Sequence, residues 1–280
     1  MTTTATKTSS TLRKQRPTIQ SIYVGSTERC IACLQGIARQ GSLFCGISCI
    51  TGTRDGGTKL LNISATHNGF RVVTDLFTQA WGHNTRIPVV RHIFAIITTE
   101  NSNQQYKNYR DSVEAKRKFV AKGLSPGNEQ PRWHGTKREC NLGNTPSQSS
   151  LCFSNECGLC GIIRHSYDIS YSGNKWERYG KAIYSTRTSS KANDYSRNSQ
   201  SSSLKALLLN DVIIGKGSEI SRDAPKMVAP PSGYDSVLAV PAKRLSRYGG
   251  PRGLNYDETV VYRNDAIRPK YLVIYEHIDP

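Results

Sequence analysis

The stretch Pro131-Arg132-Trp133-His134-Gly135-Thr136 lies near the middle of a chain of 280 residues. Its pattern predicts a short strand that ends at His134 and offers an imidazole on one side. We expect Gly135 to let a ligand approach the backbone closely, because glycine has no side chain. A His-Gly pair alone is a weak signal, since most such pairs are turns. A simple turn and a strand end that binds a ligand are both compatible with this stretch, and the rest of the sequence is needed to choose between them.

Eight cysteines fall into two groups of four, one well before this stretch and one directly after it. The first group has the spacing C-x2-C-x11-C-x3-C and the second has C-x11-C-x4-C-x2-C. Close cysteine pairs on turns can converge on one tetrahedral zinc ion, and four thiolates leave no open position for catalysis. The spacing therefore favours two structural zinc sites over unrelated buried thiols, with His165 as a substitute ligand that the second site does not need. The predicted ligands are Cys30, Cys33, Cys45 and Cys49 in the first group and Cys140, Cys152, Cys157 and Cys160 in the second.

The composition predicts a soluble protein that does not enter a membrane. Hydrophobic residues make up 36% of the chain, and the mean hydropathy is −0.51. No apolar run approaches the roughly 20 residues that span a bilayer. The N-terminus has no apolar segment typical of a secretory signal, so we expect an intracellular protein, nuclear or cytoplasmic, with reduced thiols.

The net charge of +17 favours a polyanionic partner. Nucleic acid, an acidic protein surface or a phosphate-bearing ligand would each suit this charge. The alternative is a solvated basic surface with no specific partner. The basic residues are scattered along the chain, so the charge alone does not choose between these interpretations.

The pattern along the chain predicts an α+β fold with a small cysteine-rich segment in front of it. We expect a disordered basic arm over residues 1–26, a zinc-knuckle segment over 27–57 and a larger domain over 70–280. Apolar periodicity predicts helices over 70–81 and 104–122, and buried strands over 87–98 and 204–214.

Two further strands are predicted near the C-terminus, over 258–262 and 270–275, joined by a turn around Arg268-Pro269. Residues 51–57 are predicted to be a polar linker, and a helix is expected to begin near Leu159.

Three separated stretches form an ordered set. They are His134-Gly135-Thr136, then Gly180-Lys181-Ala182-Ile183-Tyr184 with Tyr195 eleven residues further on, then Asn255-Tyr256-Asp257-Glu258-Thr259-Val260-Val261-Tyr262. Together with the closing Arg268-Pro269-Lys270-Tyr271-Leu272-Val273, this set resembles the catalytic domain of the poly(ADP-ribose) polymerase family, whose members carry a His-Tyr-Glu triad. The resemblance covers roughly residues 70–280, and the two cysteine groups resemble a fungal-type branch.

The resemblance implies a diphtheria-toxin-like ADP-ribosyltransferase fold with a mainly antiparallel split sheet, and NAD⁺ as the substrate. It implies that His134 binds the adenosine ribose and that the backbone of Gly135 binds the nicotinamide carboxamide. Tyr184 and Tyr195 would hold the nicotinamide ring between them. Glu258 would bind the nicotinamide-ribose 2′-hydroxyl and orient or deprotonate the acceptor.

One position departs from the family pattern. Members usually have a serine three residues before the stacking tyrosine, where it bonds the carboxamide, and this chain has Ala192 there. Ser189 or Ser190 would replace it if the turn is shifted. Without a replacement, nicotinamide binding loses one hydrogen bond, about 0.5–1.5 kcal/mol.

The resemblance leaves three functions open. The leading one is transfer of ADP-ribose, as single units or chains, to a macromolecular acceptor, with a protein favoured over nucleic acid. The second is hydrolysis of NAD⁺, with water as the acceptor. The third is a catalytically silent zinc module that binds nucleic acid or protein, which the charge of +17 and the cysteines would also suit.

Overall fold

The computed structural model describes residues 28–40, 42–54, 56–172, 177–241 and 254–276. The predicted basic arm over 1–26 lies outside these residues. Within them, no helix is both long and apolar enough to cross a membrane.

The described residues form eleven strands and five α-helices, with four short 3-10 turns between them. The helices are α1 (Ile47–Arg54), α2 (Asn68–Gln79), α3 (Glu100–Arg117), α4 (Gly158–His165) and α5 (Ser189–Asn193). The strands before α5 are β1 (Lys59–Ile63), β2 (Val89–Ile97), β3 (Glu129–His134), β4 (Lys137–Arg138) and β5 (Ile183–Ser185). The later strands are β6 (Arg197–Asn198), β7 (Leu204–Ile213), β8 (Gly217–Ile220), β9 (Ser236–Ala239), β10 (Glu258–Val261) and β11 (Ile267–Glu276).

The larger sheet has five antiparallel strands in the order β1-β2-β11-β7-β3. Its middle strands are apolar on both faces, which is why β2 and β7 read as continuous hydrophobic runs. On β2, Ile93 and Ala95 pack on one face while Phe94 and Ile96 pack on the other. The predicted buried strands over 87–98 and 204–214 are therefore confirmed as central strands.

The smaller sheet has the order β5-β10-β9-β8, antiparallel except for the parallel pair β8–β9. The two sheets meet where Trp133, at the end of β3, exchanges backbone hydrogen bonds of 2.7 and 3.0 Å with Thr186. A two-stranded parallel ribbon, β4–β6, lies beside this junction. The mainly antiparallel α+β architecture with few helices is thus confirmed.

Each cysteine group packs against one face of the larger sheet. Cys30 belongs to the apolar cluster that also contains Phe77 of α2 and Ile93 of β2. Cys157 and Cys160 belong to the cluster on the opposite face, with Phe94 of β2. The sheet is therefore covered by a cysteine-rich segment on both sides.

The predicted turn around Arg268-Pro269 is wrong. Both residues lie inside β11, and the chain turns earlier, at a short 3-10 turn over Asn264–Ala266. The reason is an ion-pair network that sequence periodicity does not reveal: Arg268 and Lys270 both pair with the buried Asp211 of β7. Proline fits here because the register between β11 and β7 shifts just after Pro269.

Helix α1 was not predicted, and both ends of α3 differ from the prediction. Helix α1 extends to Arg54, into the predicted linker, where the hydroxyl of Thr53 bonds backbone carbonyls one turn back. Helix α3 begins four residues earlier than predicted because Thr99 caps it, accepting a hydrogen bond from the backbone N–H of Ser102. It ends at Arg117 because Lys118 adopts a left-handed conformation.

Candidate functional site and cysteine centres

His134 ends strand β3 at the junction of the two sheets. Its Nδ1 lies 2.9 Å from the backbone oxygen of Tyr184, so Nδ1–H donates, and Nε2 keeps a lone pair that has no partner among the described residues. Burial lowers the pKa of His134 below its usual 6.5, although the bond to Tyr184 opposes the shift. The ring of Tyr167 meets the imidazole edge-on at 5.2 Å. The imidazole is thus fixed and neutral, and it can accept a hydrogen bond.

Gly135 is required here for a reason that differs from the one expected. A side-chain carbon at this position would lie 1.9 Å from the backbone oxygen of Ala192, so the space beside the glycine is filled by helix α5 and not left for a ligand. The backbone N–H and C=O of Gly135 have no hydrogen-bond partner among the described residues. This pair of backbone groups matches the donor and acceptor needs of an amide.

Tyr184 and Tyr195 stand in different environments. The Tyr184 hydroxyl donates to the backbone oxygen of Gly180 at 2.7 Å and accepts from the backbone N–H of Tyr179 at 3.0 Å, which fixes its ring. Tyr195, just after α5, is 58% exposed. Its ring makes no contact with another aromatic ring in the described part of the chain. One tyrosine is therefore held rigidly and the other has an open face.

Glu258 begins strand β10 and shares a face of the smaller sheet with Tyr184. Tyr184 lies opposite Val260, which is two residues after Glu258. Lys191 of α5 donates to Oε1 of Glu258 at 2.7 Å, and both side chains are about 10% exposed. The other carboxylate oxygen, Oε2, is buried and has no partner among the described residues. Half of this carboxylate is therefore held by a cation, and half remains available.

The loop before α5 is held by the carboxylate of Asp257. It accepts from the backbone N–H of Arg187 at 3.1 Å and pairs with the Arg187 guanidinium. The hydroxyls of Thr186 and Thr188 also reach its Oδ1, at 3.4 and 3.3 Å. These bonds connect the strand that carries Glu258 to the segment between Tyr184 and α5.

Ser190 is fully buried, and its hydroxyl is occupied by bonds to the chain just after α2. It accepts hydrogen bonds from the backbone N–H groups of Gly82 and His83, at 3.0 and 3.1 Å. The neighbouring Ser189 donates to the backbone oxygen of Phe77 at 2.8 Å. Both serines therefore attach α5 to the end of α2.

The structure brings the other predicted residues together at the junction of the sheets: His134, Gly135, Tyr184, Tyr195 and Glu258.

The sequence that forms this site matches a known protein family. A family model of the poly(ADP-ribose) polymerase (PARP) catalytic domain matches residues 68–277. The chain belongs to the PARP catalytic-domain family. No curated protein matches the chain.

The first cysteine group lies outside the matched PARP region and has the geometry of a zinc site. All four Sγ atoms lie within 4.8 Å of one another, and the Cys33–Cys45 and Cys45–Cys49 distances are 3.7 and 3.5 Å. Four sulfurs at about 2.3 Å from a tetrahedral ion would lie about 3.8 Å apart. Hydrogen bonds from the backbone N–H groups of Gly36 and Gln35 lower the pKa of Cys33 to about 6. The donor set fits a zinc ion.

The second cysteine group lies inside the PARP region, between the His-Gly pair and Tyr184. Its four Sγ atoms also lie within 4.8 Å of one another, with Cys140 at 4.0 Å from Cys157 and 3.6 Å from Cys160. The exposed His165, at the end of α4, is not part of the group. The four cysteines therefore fit a second tetrahedral ion without a histidine.

Three residues that support Glu258 and the cysteine groups were not predicted from the sequence. Lys191 gave no signal, because a lysine in a polar segment reads as exposed, and only the fold reveals its pairing with Glu258. Arg138 likewise reads as a surface residue but is buried beside the second cysteine group. Gly36 could have been found, since it follows Cys33 by three residues; a side-chain carbon there would lie 2.9 Å from Sγ of Cys45.

Proposed function

We propose that this protein transfers ADP-ribose from NAD⁺ to a protein acceptor and releases nicotinamide. The observation that carries this proposal is the carboxylate of Glu258, whose two oxygens differ in their hydrogen bonding. Lys191 occupies Oε1, whereas Oε2 has no partner among the described residues, and the Glu258 side chain lies on the same sheet face as Tyr184. A buried acceptor oxygen without a partner is costly unless a ligand supplies the missing hydrogen bond.

His134 and Gly135 would hold the two ends of the dinucleotide. The free Nε2 of the neutral His134 suits a hydroxyl of the adenosine ribose, since it can only accept. The unpaired N–H and C=O of Gly135 suit the carboxamide of nicotinamide, which offers one acceptor and donors on the same plane. Holding both ends orients the bond to be broken.

The two tyrosines would place the nicotinamide ring between them. Tyr184 is fixed by its hydroxyl, and the exposed ring of Tyr195 is free to stack. The serine that usually bonds the carboxamide is absent, and the hydroxyls of Ser189 and Ser190 bond the end of α2. We infer that only Gly135 binds the carboxamide and that nicotinamide therefore binds more weakly than it would with that serine.

Glu258 would act at the nicotinamide ribose, where positive charge develops as the bond to nicotinamide breaks. When the bond between the ribose C1′ and the pyridinium nitrogen breaks, its electron pair neutralises the nitrogen, so nicotinamide leaves without a proton. The ribose gains oxocarbenium character, which a nearby carboxylate stabilises. The acceptor's lone pair then forms the new bond to C1′, and its proton passes to Glu258 or to water.

Both cysteine groups would hold structural zinc. The sulfur–sulfur distances of 3.5 to 4.0 Å fit the edges of a tetrahedral site and are far longer than a disulfide bond. Eight reduced thiols in one chain suit an intracellular protein, and we place this one in the nucleus or cytoplasm.

The test is the mass-spectrometric identification of products after the purified chain is incubated with NAD⁺, a protein mixture and RNA or DNA. ADP-ribose attached to protein is the expected result. Attachment only to nucleic acid would overturn the choice of acceptor, and free ADP-ribose alone would indicate hydrolysis.

A second candidate function is favoured by the charge of +17. In that case the protein consumes no NAD⁺ and binds nucleic acid with an affinity that falls steeply as salt is added. That pair of results would replace the proposed function with a silent binding module.

A further inference from the structure

The second cysteine group lies at the base of a ribbon whose two strands lead directly to the proposed NAD⁺ site. Strand β4 begins two residues after Gly135, and strand β6 begins two residues after Tyr195. The strands pair in parallel, Lys137 with Arg197 and Arg138 with Asn198. Cys140 follows β4 by two residues. A metal at this group is therefore linked through a few residues to both Gly135 and Tyr195.

The group also contacts directly the corner formed by His134, Gly135 and Thr136. A side-chain carbon on Gly158 would lie 2.5 Å from Oγ1 of Thr136, so the Cys157–Cys160 turn packs tightly against the residue that follows Gly135. The backbone N–H of Glu139 donates to Sγ of Cys157 at 3.4 Å. The backbone oxygen of Thr136 in turn accepts from the N–H of Arg197 at 3.4 Å.

Arg138 fastens the ribbon to the cysteine loop. It is buried, and its guanidinium donates to the backbone oxygens of Leu142 and Leu204 and to the side-chain oxygens of Asn144 and Asn198. Each of these described acceptors is neutral, so none of them balances the charge of the guanidinium. A zinc ion with four thiolates carries a net charge of −2, which would balance a buried cation next to it.

The first cysteine group shares a large apolar cluster with Trp133 and Ala192 through Cys30, but among the described residues no hydrogen bond joins it to His134, Gly135 or Thr136. It connects to the catalytic region through Glu28, which accepts from the N–H of Asn68, and through Leu43, which contacts Gly69. These contacts lie at the start of α2, on the opposite face of the larger sheet. The two groups therefore form a natural comparison.

We propose that the metal held by Cys140, Cys152, Cys157 and Cys160 positions Gly135 and Tyr195 for the dinucleotide by fixing the β4–β6 ribbon. This role rests on the proposed function, because it assigns those two residues to NAD⁺ binding. The metal takes no part in the chemistry. Its removal loosens the corner and weakens NAD⁺ binding, whereas removal of the metal from the first group does not.

The experiment compares full-length Cys152→Ser with full-length Cys33→Ser. Zinc content is measured by elemental mass spectrometry, and affinity for a non-cleavable NAD⁺ analogue by calorimetry. Wild type should hold two zinc ions and each variant one. We expect Cys152→Ser to bind the analogue at least about tenfold more weakly and Cys33→Ser to change affinity by less than about threefold.

A second readout does not depend on NAD⁺. Amide hydrogen exchange should rise at residues 136–138 and 197–198 in Cys152→Ser but not in Cys33→Ser. If Cys152→Ser does not fold, Cys152→His supplies a substitute ligand that keeps the metal, and zinc added back to chelated wild type should restore exchange protection and affinity together.

The outcomes separate the two claims. Unchanged affinity and unchanged exchange in folded Cys152→Ser that has lost its zinc would overturn the positioning role alone. Wild type with no zinc at this group would overturn it as well. Wild type that holds both zinc ions but binds no NAD⁺ analogue would overturn the proposed function, and the exchange data would still decide whether the metal fixes the ribbon.

Discussion

The Nζ of Lys191 lies 2.7 Å from Oε1 of Glu258, in a pair of side chains that are both about 10% exposed. Lys191 also lies 3.3 Å from the backbone oxygens of Tyr256 and Asp257, so its ammonium group is held by three oxygens. The pair connects helix α5 to the start of β10. It occupies one carboxylate oxygen and leaves the other without a partner among the described residues.

Lys191→Met is expected to lower the turnover of NAD⁺ by about tenfold to a hundredfold, because the carboxylate loses its orientation. If Lys191 acts only through Glu258, the double variant with Glu258→Gln will be no slower than Glu258→Gln alone. Steady-state nicotinamide release from the four proteins of this cycle gives the answer. Losses that multiply in the double variant would show that Lys191 has a separate role.

Gly135→Ala is expected to destabilise the protein by about 1–3 kcal/mol, because the added carbon would lie 1.9 Å from a backbone oxygen of α5. Neither side of that contact is a flexible side chain, so α5 has to shift. The matched control is Gly161→Ala in helix α4, where the added carbon meets nothing within 4 Å. Alanine there should stabilise by about 0.5–1 kcal/mol. Urea unfolding measures both, and equal effects would refute the close packing described for Gly135.

Arg138→Met should lower the free energy of unfolding by about 2–4 kcal/mol, since four buried or partly buried hydrogen bonds to neutral oxygens are lost. Zinc at the second cysteine group should also become easier to remove with a chelator. Arg197→Met, on the paired strand of the ribbon, removes an exposed arginine and should have little effect on either quantity. Identical behaviour of the two variants would contradict the role given to Arg138.

The affinity for NAD⁺ should stay constant from about pH 8 down to 6.5 and fall only in more acidic solution. The affinity holds over this range because burial lowers the pKa of His134 below 6.5 and keeps the acceptor Nε2 unprotonated. Protonation at low pH converts Nε2 into a donor that cannot accept from a hydroxyl. Calorimetry with a non-cleavable analogue across this range tests it, with His134→Gln as a variant that lacks this titration. An affinity that already declines between about pH 8 and 7 would be contrary to this account.

The sequence predicted the parts of the fold that depend on local pattern. The apolar runs over 87–98 and 204–214 are central strands because both of their faces are buried, and such runs are visible in the sequence. The cysteine spacing likewise predicted two groups whose thiols converge. The ordered set of His134, Tyr184, Tyr195 and Glu258 predicted which residues meet at the junction of the sheets.

The residues that were missed depend on contacts between distant parts of the chain. Arg268 and Pro269 were expected to turn, yet the buried Asp211, more than fifty residues earlier, draws Arg268 and Lys270 into a strand. Lys191 is buried only because α5 packs across the start of β10. The reason for Gly135 was misjudged in the same way, since its neighbour is the backbone of α5. Sequence spacing identifies such residues but does not reveal what they touch.

The most direct test of the central claim is the rate of nicotinamide release from NAD⁺ by wild type, Glu258→Gln and Glu219→Gln. Glu219 is an exposed carboxylate on β8 of the same sheet, so its variant controls for the loss of one negative charge. The account predicts steady release by wild type and by Glu219→Gln, and a rate lower by about a hundredfold or more for Glu258→Gln. Equal rates for wild type and Glu258→Gln, or no release by wild type that holds its zinc, would contradict it.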